Sequence, residues 1–414
     1  MRICVTTFGS EGDFQPYFAL AVGLRQAGHE VVFASVDRYA ERGRALGLTY
    51  ATVGRPWVDK AGPEVAEAFR DRNPARQAGQ FTRLLEDDLA AMVPGLLEVT
   101  RDVDLVVSHV FNVAGTAAAR ANQKPVVVGH LFHSTLRQQR SSPLGTHLGS
   151  LGNALLWRVA EAMMRRYTDP PLNRAVQAAG LAPWRDILCR SGHSGWLDLL
   201  AISPAVVAPD PLWERRYLMT GYWSTPSASF TPDAALASFM EGERPVVVTF
   251  GSMGGTDPRA TTTTLVEALR RSGRKAILQA GWGNLGEGEL PPNVLRVGFV
   301  PHDWLFARAA CVVHHGGAGT VAATLRAGVP SIVVWHLGDQ PAWGKILERH
   351  GVAPRPIPHA RLSTENLCGA LERVLNEPTF RERAGQLAQR LRHEDGVSTA
   401  VRAIESAASG LPLG

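Results

Sequence analysis

A chain of 414 residues, 45% hydrophobic and 20% charged, describes a water-soluble globular protein of two or three domains and rules out a peptide-sized scaffold. Its 41 glycines and 27 prolines follow no fixed period, which removes collagen-like, low-complexity and solenoid readings. The 43 Lys+Arg and 38 Asp+Glu leave a net charge of +5, spread without a basic tract or interleaved aromatics, so no nucleic-acid partner is expected.

Ile3 to Phe8 reads as a strand, followed by a glycine-containing loop, a helix from about Tyr17 to Ala27, Gly28 as its stop, and a strand at Glu30 to Ala34. The opening apolar run ends at Gly9 and Glu11, too short for a signal-peptide core or a membrane span. No later stretch supplies an integral segment, and a peripheral membrane contact stays open. Further strands are predicted at Leu48 to Val53, Asp104 to His109 and Pro125 to Gly129, each apolar throughout, as in parallel sheets covered on both faces.

Asn153 to Tyr167 has helical spacing, with Leu155, Leu156, Val159 and Met163 on one face and Arg158, Arg165 and Arg166 mostly off it. A core-facing helix is the plain reading, and a membrane-surface or lipid-acceptor role the sharper one. Ala205 to Gly242, with Pro209, Pro211, Pro226 and Pro232, has the composition of a linker. From Pro245 the pattern restarts: strands at Val246 to Phe250, Lys275 to Ala280, Val294 to Val297, Cys311 to His314 and Ser331 to Trp335, with a helix ending near Ser272. The expected layout is an amino-terminal domain over 1–222, a linker over 223–242, a second domain over 243–392 and a terminal helix over 393–414. Both domains are α/β with parallel sheets and face each other across a cleft at the carboxyl ends of their strands, where such sheets bind ligands.

Cys4, Cys189, Cys311 and Cys368 lie far apart, without C-x-x-C or zinc-ligand spacing, so neither a disulfide framework nor a metal site is expected and a reducing cytoplasm is the natural compartment. The sharpest local signal is His314-His315-Gly316-Gly317-Ala318-Gly319-Thr320 between a strand and a helix. Its glycines allow close approach to the main chain, and the amides of a helix start suit a diphosphate. A plain βα turn is the alternative. The run is neither G-x-G-x-x-G nor a Walker loop, which disfavours nicotinamide and ATP sites. Asp339 and Gln340, again between strand and helix, match vicinal sugar hydroxyls, with Asp339 as a simple helix cap the alternative.

These runs, together with Val300-Pro301-His302-Asp303-Trp304-Leu305-Phe306, Phe250-Gly251-Ser252-Met253 and Gly338-Asp339-Gln340-Pro341-Ala342-Trp343-Gly344, resemble the donor half of family 1 glycosyltransferases. The likeness is to sterol 3-beta-glucosyltransferases and to bacterial enzymes acting on glycopeptide and other natural-product aglycones. It is specific over Val246 to Gly344 and loose over Trp57 to Leu200. The first loop, Gly9-Ser10-Glu11-Gly12-Asp13-Phe14-Gln15-Pro16, matches the family's G-[ST]-x-G-D-x-x-P.

The resemblance implies the two-domain GT-B fold and an inverting transfer of a hexose from a UDP- or dTDP-sugar to a hydroxyl of a lipophilic aglycone. It assigns Asp13 as general base, where a helix cap is the alternative. Ser252, His315, Gly316, Gly317, Ala318, Gly319 and Thr320 would hold the diphosphate, Phe299, Val300, Pro301 and His302 the base, and Asp339 and Gln340 the sugar. His109 would orient Asp13 or line the acceptor pocket beside His133, Trp157 and Met163. The co-substrate is a nucleotide sugar such as UDP-glucose, and no further cofactor or metal is expected. A nucleotide-sugar 2-epimerase, or a non-catalytic helper that keeps the fold, are the rival readings.

Overall fold

The computed structural model describes residues 1–56, 73–133, 136–143, 146, 148–188, 196–213, 217–224, 230–251, 258–280, 286, 288–336 and 338–410. The chain divides into two compact units, Met1–Ser224 with Asp395–Gly414, and Thr225–Glu394.

In the first unit, strands β1 (Arg2–Thr6), β2 (Glu30–Ser35), β3 (Thr49–Thr52), β4 (Leu105–His109), β5 (Val126–His130), β6 (Leu197–Leu200) and β7 (Tyr217–Met219) form a parallel sheet in the order β3-β2-β1-β4-β5-β6-β7. The order reverses direction between β1 and β4, so the loops leaving these two strands diverge and open a crevice at their carboxyl ends. Around the sheet lie α1 (Glu11–Gln26), α2 (Ala40–Ala45), α3 (Pro74–Arg101), α4 (Val113–Ala121) and α5 (Gly149–Gln177). Because both faces are covered, Ile3, Val5, Val106, Val107, Val127 and Val128 are all buried whichever way they point.

Helix α1 begins at Glu11 rather than Tyr17, with Ser10 as its N-cap and Pro16 carried inside it. The earlier start follows from local polar chemistry: Asp13, in the first turn, accepts from the Ser10 amide at 2.7 Å and secures a helix end that apolar periodicity does not register.

The second unit contains α6 (Ala234–Phe239), β8 (Val246–Thr249), α7 (Pro258–Ser272), β9 (Ala276–Gln279), β10 (Val294–Val297), α8 (His302–Phe306), β11 (Cys311–His314), α9 (Ala318–Ala327), β12 (Ser331–Trp335), α10 (Gln340–Arg349), β13 (Ile357–Pro358), α11 (Thr364–Asn376) and α12 (Pro378–Leu391). Its sheet order, β10-β9-β8-β11-β12-β13, repeats the same reversal between β8 and β11. All the strand pairs of both sheets are parallel.

The proline-rich stretch read as a linker is packed chain on both sides of Ser224. Residues before it supply β7 and the buried Trp223, whose Nε1 donates to Thr220 Oγ1 at 2.8 Å. After it, Leu236 is buried in the second unit's core with Phe230, Phe239 and Met240 against it. Proline and serine report the absence of regular structure, which is compatible with close packing. Helix α13 (Gly396–Ala408) belongs to the first unit and buries Val401 and Ile404 in its core. It lies close enough to α1 that a Cβ on Gly23 would fall 2.2 Å from Val397 Cγ1.

Candidate active site

Two polar clusters stand at the reversal points of the two sheets. In the first unit, Asp13 is the third residue of α1, neither on a loop nor an N-cap. Its Oδ2 accepts from the amide and the hydroxyl of Ser10 at 2.7 and 3.0 Å. Gly9, at φ +132°, makes room for this: a Cβ there would lie 2.3 Å from Asp13 Oδ2. One carboxylate oxygen is thus held by the helix start, while Oδ1 faces His109 Nε2 at 3.9 Å. The Asp13 side chain is 26% exposed and that of His109 fully buried.

His109 ends β4 beneath Asp13, edge-on to Tyr17 and Phe111. Burial, and then neighbouring His130, push its imidazole down to about 3, so it is neutral at physiological pH. It is completely buried. Trp157 is buried and donates from Nε1 to Ser141 O at 2.8 Å, which anchors a loop to the helix. His133 and Met163 are half-buried. His130 is fully buried in a pair with Asp198, Nε2 to Oδ1 at 2.8 Å.

In the second unit, β11 delivers His314 and His315 to the rim. His314 Nδ1 accepts from the Gly316 amide at 3.1 Å, which puts the ring proton on Nε2. Gly316 adopts φ +87°, and a Cβ on it would fall 2.9 Å from Val333 Cγ1 and 3.1 Å from Gln340 O, so the two rim loops meet at this glycine. A Cβ on Gly317 would lie 2.3 Å from His315 Nε2: this glycine is where the imidazole folds over the helix start. Helix α9 follows with Gly317 as N-cap and no side-chain cap, and its first intrahelical bond from this end is Val321 N to Gly317 O. The amides of Ala318, Gly319 and Thr320 therefore have no helical acceptor and carry the positive end of the helix dipole. Thr320 itself is buried at 8% exposure.

Histidines gather around this loop. Burial, and then His302, push His315 down to about 4, and burial with His315 and His302 pushes His314 to about 3. His302 is held at about 4 by burial and stacks on Phe306 at 4.4 Å. His336 stacks on His359 at 4.2 Å and lies at about 3 through burial and its histidine neighbours. The motif reading had assigned no role to His314, His336 and His359. The His314-His315 doublet at a strand exit was the signal for the first, whereas the other two meet only through the tertiary fold.

Asp339 occupies the N-cap position of α10, yet its carboxylate makes no cap bond and accepts instead from Trp343 Nε1 at 2.7 Å. Burial raises it to about 6, with the Trp343 bond opposing. Gln340 is buried, and its Oε1 accepts from the His336 amide at 2.7 Å. Along the stretch assigned to the base, Phe299 is 67% exposed, Val300 is buried with its carbonyl bonded by Gln279 Nε2 at 2.8 Å, and Pro301 caps α8. Ser252 lies outside the described residues. Among the described residues no group of three His, Cys, Asp or Glu is arranged to hold a metal ion.

Two all-parallel α/β units of the same strand order, each with its polar cluster at the reversal point, define the GT-B class of glycosyltransferase. Residues 3–129 match the family model described as Glycosyltransferase family 28 N-terminal domain, and residues 278–400 match Erythromycin biosynthesis protein CIII-like, C-terminal domain. The chain is 33% identical to O-mycaminosyltylonolide 6-deoxyallosyltransferase of Streptomyces fradiae, over 98% of this chain and 97% of that one. It is 30% identical to a sterol 3-beta-glucosyltransferase of Arabidopsis thaliana, over 97% of this chain and 67% of the relative. A sterol 3-beta-glucosyltransferase of Emericella nidulans is 32% identical over 98% of this chain, which spans 30% of that longer protein. The protein therefore belongs to the GT-B glycosyltransferase family that includes the sterol and macrolide enzymes.

Among solved structures, the glycotransferase of kitacinnamycin superposes with a TM-score of 0.73 at 21% identity over 98% of each chain. Glycosyltransferase VinC, in complex with DTDP, gives 0.70 at 21% over 99% of this chain and 100% of that one. Both share the fold.

Proposed function

We propose that the protein is an inverting glycosyltransferase that moves a hexose from an α-linked UDP- or dTDP-sugar to a hydroxyl of a lipophilic natural-product or sterol-like alcohol, giving a β-glycoside. The observation that carries this reading is the β11–α9 turn, where His315 folds over three helix-start amides without helical acceptors. A diphosphate is the ligand such a donor set suits. The acceptor class draws support from the relatives, which are named for a macrolide and for sterols.

In this reading the acceptor O–H bond breaks toward Asp13 Oδ1 as the acceptor oxygen attacks the anomeric carbon, and the bond from that carbon to the diphosphate oxygen breaks on the opposite side. Asp13 suits the role because its other oxygen is held by Ser10. The charge growing on the nucleoside diphosphate is taken up by the amides of Ala318, Gly319 and Thr320 and by His315, preorganised donors that require neither metal nor further cofactor. Asp339 and Gln340 serve the sugar hydroxyls, and Phe299 to His302 the base. A cytoplasmic location accords with this use of nucleotide sugars.

The test is a thermal-shift screen of nucleoside diphosphates and their sugars, followed by product analysis with a panel of alcohols. The expected result is nucleotide release matched by a new β-glycoside. Epimerised sugar nucleotide formed without acceptor would replace this reading with a 2-epimerase, and a chain that binds no nucleotide would be a helper protein.

A further inference from the structure

Helix α5 turns outward part of the face that its apolar periodicity assigns to the core: Leu155 and Val159 are exposed, while Leu156 and Met163 are half-buried. Leu148, Leu151, Leu155 and Val159 form one stripe at spacings of three and four, and are 59%, 87%, 62% and 48% exposed. The inward side of the same turns is held by polar hooks. Asn153 accepts from the Leu148 amide at 3.1 Å and donates to Gln139 O at 2.7 Å, one turn before the Trp157 to Ser141 bond. The first turns of the helix are tied to the first unit by these hydrogen bonds and its later turns by the burial of Leu172, Ala175 and Val176, and the four residues of the stripe are left in water. A contiguous apolar stripe of this kind marks an interaction surface.

The charges beside the stripe indicate what covers it. From Leu148 to Ala160 there is no acidic residue. Glu161 is tied to Arg137 at 3.2 Å and Arg165 to Asp186 at 2.7 Å, while Arg158 and Arg166 are exposed beside or in line with the leucines. A self-complementary helix pair gains no ion pair across its seam from flanks of one sign. Flanks of one sign, on a convex helix with an apolar ridge, fit an interface of opposite charge that admits side chains to a shallow depth. No helix among the described residues is long and apolar enough to cross a membrane.

We propose that α5 lies flat on an anionic lipid bilayer, with Leu148, Leu151, Leu155 and Val159 at the headgroup boundary and Arg158 and Arg166 against lipid phosphates. The inference rests on the proposed function in one respect: the unit that carries Asp13 would be brought to the phase in which a lipophilic alcohol dissolves.

Flotation of the full chain with vesicles of phosphatidylcholine, with and without phosphatidylglycerol, tests this. Binding is expected only to the anionic vesicles and should weaken with salt. Leu151→Glu with Leu155→Glu should reduce partition at least about tenfold. Arg158→Glu and Arg166→Glu should each cost on the order of fivefold. All four positions face solvent, and unchanged thermal unfolding confirms that the variants fold; Leu151→Ser with Leu155→Ser is the milder pair. Transfer to a water-soluble alcohol should be the same in wild type and variants. Failure of wild type to float with anionic vesicles, or equal flotation of the leucine variants, overturns the proposal. So does a wild-type dimer in sedimentation that the leucine variants dissociate, which would mean that a second copy covers the stripe. A chain that makes no glycoside in solution yet floats in a leucine-dependent way overturns the proposed function and keeps the surface.

Discussion

Asp13 and His109 form an asymmetric pair: the carboxylate gives one oxygen to Ser10 and turns the other toward a fully buried, neutral imidazole 3.9 Å away. A neutral ring brings no positive charge against the carboxylate, whereas a protonated His109 would compete for it. Asp13→Asn retains the size and an oxygen for the Ser10 amide, so it should fold and bind donor normally. It should lose on the order of 10²-fold or more in transfer rate with a saturating alcohol. Near-normal glycoside formation would reduce Asp13 to a partner of the helix start.

The buried histidines set an acid limit on stability. His109 and His314, both held at about 3, are neutral in the folded chain but take up protons on unfolding once pH drops below their ordinary ~6.5. Stability is complete above that value and falls as pH falls toward about 3, by about 1.4 kcal/mol per pH unit for each ring. Urea unfolding at pH 7 and pH 5 should show the loss, and His109→Phe should flatten the first unit's share. An unfolding midpoint independent of pH over this range would contradict the burial argument.

At the donor loop, His315→Ala should weaken nucleoside diphosphate binding by about 1.5 to 3 kcal/mol, the scale of a hydrogen bond to a charged group. Gly317→Ala should do the same without removing the imidazole, because its Cβ would occupy the place of His315 Nε2. Calorimetry on both variants reads the effect, and undisturbed affinity in Gly317→Ala would show that the ring's seat on this glycine is not used.

Opposite pH trends should separate sugar from phosphate. A bound diphosphate raises the His315 pKa from about 4, so bare diphosphate should bind more tightly as pH falls. Asp339, raised to about 6, ionises only above that value and should hold sugar hydroxyls best there, lowering the KM for the sugar nucleotide as pH rises through about 6. Asp339→Ala should depress turnover with the sugar nucleotide and leave diphosphate affinity nearly intact. Equal loss for both ligands would mark the bond to Trp343 as the residue's whole purpose.

The linear sequence determined the parts that depend on short-range pattern. Apolar runs such as Val246 to Thr249 and Cys311 to His314, short and bounded by turn residues, read as strands buried on both faces, and the glycines at Gly316 to Gly319 mark the turn from a strand into a helix start. Polar and long-range relations were decided by the tertiary structure. The Asp13 to Ser10 bond moved the start of α1, and the hydrogen bonds of Asn153 to Gln139 and of Trp157 to Ser141 hold the first half of α5 with Leu155 and Val159 outward, a relation that apolar spacing does not register. The imidazoles of His336 and His359 stack because β12 and β13 are neighbours in the sheet, a juxtaposition that no spacing along the chain encodes.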